Sequence, residues 1–278
     1  MKTSLAAPFA AAALATAVLI APASASEPAT TATRATLEEA QRLFYSGQYE
    51  EAAALALAAR AADPQNLAAS ELRSSALHFQ IRRALGNPDN KARAWARCES
   101  CPDLLAAFMQ EVDTGRVEAR SRLEQNAADH EARFFLGKFN LNVIWLQLAT
   151  LGHRTGWSEY WEARKSLDAV LKVNPQHVRA RVARAWIDYV VDTKVPRGTR
   201  WLLGGGSKTR GLQALLEATQ VQSPPYVQAE AMFALWDMQV RERNLPDAIA
   251  TARSLARDFP ENRELTKFLS AHDLQGSR

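Results

Sequence analysis

The sequence predicts an all-α fold of repeated helix pairs, on three observations. Long blocks rich in Ala, Leu, Arg and Glu carry apolar residues at helical spacing. No convincing stretch alternates apolar with polar residues, so no sheet is read. One pattern of small residues ending in Pro occurs three times in the same frame.

The first 25 residues read as a secretory signal: Lys2 supplies a positive start, Leu5 to Ile20 carries no charge, and Ala23-Ser24-Ala25 is a small-x-small cleavage pattern. The run is interrupted by Pro8 and is too short and Ala-rich for a convincing membrane span. Residues 26–35 read as a flexible leader, 36–274 as a single helical-repeat domain and 275–278 as a tail. No other run reaches membrane length. The expectation is therefore an exported protein, periplasmic or secreted, with no transmembrane span after cleavage. A formal charge of +4 is mild and, with export, gives no reason to expect nucleic acid as a partner.

Helices are expected at 36–46, 48–62, 65–85, 102–113, 115–126, 129–150, 158–173, 176–192, 207–220, 224–243, 245–258 and 261–272. Asp63-Pro64 stops the second, since Pro lacks the helical N–H and disfavours helix in the residue before it. Pro102 suits a first turn, Ser158 and Ser207 are N-cap residues, and Pro224-Pro225 opens another helix.

The recurrence lies in the turns. Tyr49-x-x-Ala52, Tyr160-x-x-Ala163 and Leu245-x-x-Ala248 are each followed by Pro 12 positions after the Ala, at Pro64, Pro175 and Pro260. In the same frames Ala56, Leu167 and Ala252 correspond, as do Ala59, Val170 and Leu255. A degraded fourth copy ends at Asn126 to Arg133, with Ala127 in the place of Pro. Ala40, Leu43, Gly47, Tyr49, Ala52, Ala56, Ala59 and Pro64 fall on successive signature positions of a tetratricopeptide repeat, and the chain resembles that superfamily. The resemblance implies a right-handed helical solenoid of about six antiparallel pairs with a C-terminal capping helix. The prolines lie 111 and 85 residues apart, so insertions must separate the copies. Gly86–Ser100, Gly152–Gly156 and Asp192–Ser207 are the places for them. A shorter stretch, Trp201 to Leu212, is similar to exported bacterial repeat proteins and to the inclusion-body-clearance repeat family, and implies fold alone.

Four features carry chemistry. Cys98 and Cys101 are the only cysteines. In an oxidising compartment they imply a disulfide first, a redox pair second and a metal site third. Gly204-Gly205-Gly206-Ser207-Lys208-Thr209 mimics a phosphate-binding loop, but Ser207 stands where Gly should precede the Lys and no strand precedes it. Lys194, Arg197, Arg200, Lys208 and Arg210, with Trp201, occupy a stretch without an acid. Such a loop either clamps an anionic group or is plain solvated loop. By the resemblance, a tetratricopeptide groove holds an extended peptide, and Asn140, Asn142, Arg181, Arg184 and Gln239 are its candidate lining.

His78, His130, His153, His177 and His272 fit neither a metalloprotease pair nor a triad order. No enzyme, cofactor or resident metal is expected. The leading expectation is an exported scaffold that binds another protein or peptide of the cell envelope. Two alternatives remain open: a small-molecule accessory of a transport system, and a thiol-redox protein using Cys98 and Cys101.

Overall fold

The computed structural model describes residues 27–86, 88–152 and 156–273. The expected signal peptide and tail lie outside them. The helices are α1 Glu27–Tyr45, α2 Tyr49–Ala62, α3 Leu67–Leu85, α4 Lys91–Arg97, α5 Cys101–Gln125, α6 His130–Trp145, α7 Trp157–Val173, α8 Val178–Lys194, α9 Lys208–Gln220, α10 Pro225–Arg241, α11 Leu245–Asp258 and α12 Arg263–Asp273. A π-turn, Leu146–Leu151, extends α6, and a 3-10 segment, Arg197–Leu203, follows α8. No strand occurs among the described residues, and consecutive helices pack on one another.

The recurring pattern corresponds to recurring geometry. Ala52, Ala163 and Ala248 are each 0 % exposed, because at these positions only a methyl fits between paired helices. Ala56, Leu167 and Ala252 are buried one turn further on, and Ala59, Val170 and Leu255 after them. Each of these helices then ends alike. The amide N–H of Asp63, Asn174 and Phe259 bonds back to the carbonyl of Ala59, Val170 and Leu255. Two residues of turn follow, and a side chain caps the next helix: Asn66 accepts from the Ala69 amide at 3.0 Å, His177 Nδ1 from Ala180 at 3.1 Å, and Asn262 from Leu265 at 3.2 Å. The degraded copy behaves identically, with Asp129 accepting from Ala132 at 2.8 Å, so Ala127 replaces Pro without changing the turn.

Several expected boundaries are corrected. Helix α1 begins at Glu27, so most of the expected leader is its first two turns; Pro28 suits a first-turn position and the Ala residues favour helix. Gly115 does not break the chain at 114: α5 is one helix of 25 residues. A Cβ at Gly115 would lie 2.2 Å from the Phe139 ring, so the residue is there for close approach of α6 rather than as a stop. The Gly86–Ser100 connection contains α4, and Asp192–Ser207 contains the 3-10 segment. Among the described residues the pairs are therefore five, α1/α2, α3/α5, α6/α7, α8/α9 and α10/α11, with α12 packed on α11.

The first helices of these pairs also touch one another: α1 meets α3, α3 meets α6, α6 meets α8, α8 meets α10, and α10 meets α1. The succession closes on itself. At the closure Tyr45 stacks on Phe233 (5.4 Å between centroids) and packs against Phe259 (5.6 Å). Asn262 donates to the Tyr45 carbonyl at 2.7 Å and Gln48 donates to Glu261 at 2.7 Å.

Candidate functional site

Closure of the inner helices brings together four charges from four of them. Glu71 of α3 takes Arg179 of α8 at 2.7 Å and Lys138 of α6 at 3.5 Å, while Glu230 of α10 takes Lys138 at 2.9 Å and Arg179 at 2.5 Å. The signs alternate, and each side chain is at most 19 % exposed. Ser75 donates to Glu71 at 2.9 Å, and Asn142 donates to Ser74 at 3.0 Å. Arg179 also lies 5.0 Å from the centre of the Phe134 ring.

Burial alone would raise the Glu230 carboxyl, but Arg179 and Lys138 outweigh it and bring it down to about 2. Glu71 is lowered against its own burial by Lys138 and Arg179. Lys138 is raised, its desolvation outweighed by Glu230 and Glu71. All four stay charged at neutral pH, and their charges cancel. The cluster offers neither a proton donor nor a free carboxylate, so its chemistry is that of a lock between helices.

The residues expected to line a peptide groove are engaged within the chain. Asn140 is wholly buried, donates to the Leu136 carbonyl and Glu162, and accepts from Arg116. Asn142 is buried against Ser74 and Ser75. Gln239 is buried and accepts from Thr251 at 2.9 Å. Arg181 pairs with Glu217 at 2.5 Å, and Arg184 pairs with Asp168 at 2.7 Å and Asp188 at 2.8 Å. Each of the five thus has a partner within the chain, and Asn140, Asn142 and Gln239 are buried.

The basic stretch sits differently. Tyr160 and Arg164 of α7 hold it from beneath: Tyr160 Oη donates to the Leu203 carbonyl at 2.8 Å, and Arg164 donates to the same carbonyl at 2.7 Å and to Gly204 at 3.0 Å. Gly204 and Gly205 have φ of +72°, the left-handed conformation that lets the chain turn into α9. Acids from outside the stretch meet three of its five cations. Arg200 pairs with Asp192, Lys208 pairs with Glu242 at 2.5 Å, and Arg210 approaches Asp188 at 3.9 Å, a carboxylate it shares with Arg184. Lys194 and Arg197 are exposed and form no ion pair among the described residues. Trp201 is 73 % exposed, Leu202 46 % and Trp157 62 %. The phosphate-loop mimic fails for a physical reason: the Lys208 amide at the start of α9 already bonds to the Asp192 carboxylate at 2.8 Å.

Cys98 and Cys101 are bonded to each other, with Cα atoms 5.4 Å apart. Cys101 opens α5 and is fully buried, and the pair ties α4 to α5. Beside α4 lies a cavity of about 420 Å³ lined by Leu85, Lys91, Ala92, Trp95, Thr150, Leu151 and Gly152. Behind it His78 hydrogen-bonds Thr150 at 2.8 Å. Burial, with Arg82 nearby, lowers the His78 imidazole to about 3 and keeps it neutral.

No protein-family model, curated protein or solved structure matches the chain. Sequence reasoning missed Glu71, Lys138, Arg179 and Glu230, which lie 51 to 108 residues from the oppositely charged partners they hydrogen-bond. No local spacing could have announced them.

Proposed function

We propose that the chain is a non-catalytic binding module of tetratricopeptide type, an exported right-handed helical solenoid that works through an edge rather than a groove. One contrast carries the reading. The polar side chains expected to line a groove are engaged within the chain, whereas Trp157 at the α7 start, Lys194 at the α8 end, and Arg197, Trp201 and Leu202 of the 3-10 segment are exposed. Large exposed apolar residues beside uncompensated charge mark interaction surfaces. Burial of Cys101 favours a structural over a redox disulfide. The test is chemical cross-linking in the chain's own envelope fraction. Arg197→Ala with Trp201→Ala is expected to abolish the adducts while the melting temperature moves by no more than a few degrees. Unchanged adducts would remove the edge from consideration.

A second reading rests on the cavity beside α4. Its Leu85, Ala92, Trp95 and Leu151 walls suit the apolar part of a small ligand carried for a transport system, and Thr150 belongs to a π-turn, a feature frequent at functional sites. Leu151→Trp would fill that space and block such a ligand without touching the edge.

A further inference from the structure

We infer that the edge formed by the start of α7 and the 3-10 segment seats on a bilayer surface containing anionic lipid. This rests on the edge reading above and names its partner. Tyr160 and Arg164 bond the carbonyls of Leu203 and Gly204, so the first turns of α7 lie against the end of the 3-10 segment. Trp157 is one turn ahead of Tyr160, and Trp201 and Leu202 immediately precede Leu203, so two exposed indoles and an exposed leucine flank the Tyr160–Leu203 hydrogen bond in the chain. Trp157 opens α7, Trp201 and Leu202 belong to the 3-10 segment, and none borders the cavity beside α4. Exposed indoles beside unpaired cations suit a surface into which side chains insert.

The chemistry is that of a membrane boundary. Indole rings settle between headgroups and acyl chains, with cations at the level of the phosphates. Trp201 Nε1 already donates to the Gly198 carbonyl at 3.1 Å, so its ring enters an apolar layer without leaving a bare donor. The carboxylates that would repel anionic lipid are occupied: Asp192 by Arg200 and the Lys208 amide, Glu242 by Lys208 and Tyr189, Asp188 by Arg184 and Arg210. Glu159 takes the Ser158 hydroxyl at 2.8 Å and turns back over Gly156. Lys194 and Arg197 are left to face lipid phosphate. None of the described helices is long and apolar enough to cross a membrane, so the contact is peripheral.

The experiment is co-sedimentation of residues 26–278 with vesicles of phosphatidylcholine, with and without phosphatidylglycerol, alongside quenching of Trp emission by brominated lipid. Binding and quenching are expected only with phosphatidylglycerol present, and both should fade as salt rises. Lys194→Glu with Arg197→Glu should weaken partition by about tenfold or more. Trp157→Ser with Trp201→Ser should remove the quenching. All four residues are exposed, so unchanged melting is expected, and each single substitution serves if a pair misfolds. Absence of binding to phosphatidylglycerol vesicles, or binding that these substitutions leave unchanged, overturns the inference. If the vesicles fail but Arg197→Ala with Trp201→Ala still abolishes envelope cross-links, the edge reading survives with a protein partner. If both fail, the edge is not a binding surface.

Discussion

On the inner face, Glu71, Lys138, Arg179 and Glu230 share one alternating cluster. At the edge, Lys194 and Arg197 stand in solvent with no carboxylate. The residue types are the same, and the surroundings decide what they do. Where the helices close around the charges, each must be matched, because an unmatched ion in that setting is strongly destabilising. Where the chain turns outward, water does the matching, and the charge is left over for something else. The difference teaches that recurring helix pairs do not by themselves supply an open polar face.

The largest expected effect tests the inner side of that contrast. Glu230→Ala leaves Arg179 and Lys138 sharing one carboxylate and should cost about 3–5 kcal/mol in chemical denaturation. Arg197→Ala should stay within about 0.5 kcal/mol. Similar losses in the two variants would erase the distinction. Next comes the helix contact on which the inner face depends: Ala163→Trp should destabilise by about 2 kcal/mol or more, since the α6/α7 pair has no space for the ring. A melt like that of the parent chain would show that the small-residue positions are not packing constraints.

The smallest effect is acid-dependent and separates two buried groups. His78 has a folded pKa depressed to about 3, so its stability contribution is complete above the ordinary imidazole range and is lost as pH falls towards that value. Glu230, depressed to about 2, has the same sign but begins to lose its contribution only below the ordinary carboxyl range. Stability should therefore drop by about 2 kcal/mol between pH 7 and pH 5, mostly through His78, before the charge cluster titrates. His78→Asn, followed by urea unfolding across that range, should flatten most of the slope. The remainder would come from His177, whose imidazole burial also lowers. A slope unchanged in His78→Asn would place the acid sensitivity elsewhere.

The legible parts of the molecule were those written locally. Ala52, Ala163 and Ala248 with their following prolines announced the pairs, and even Ala127 could be aligned because Asn126 and Asp129 kept the turn. The break expected at 114 was not legible as an error, because a Gly at 115 is also what close approach of the Phe139 ring requires, and that ring lies across the contact. The basic stretch was visible, but its pairing was not, since Asp188 reaches it from α8 and Glu242 from the residue that follows α10. Asn140, Asn142 and Gln239 looked like surface because polar residues usually are, yet each is buried and found a partner on a neighbouring helix.

Contact between α1 and α10 has a consequence for how the chain acquires its structure. Each helix pair could form as soon as it is synthesised, from neighbours close in sequence, which is fast. Tyr45, however, finds Phe233 and Phe259 only after nearly the whole polypeptide exists, and the interval between them must be closed against its own chain entropy. A nascent or truncated chain ending before Pro225 would therefore hold a string of formed pairs with Tyr45 bare, because Phe233 and Phe259 are not yet present. Joining them is the step that turns a linear succession into a single cooperative body, and it is the stage at which a half-made molecule is most open to sticking to another.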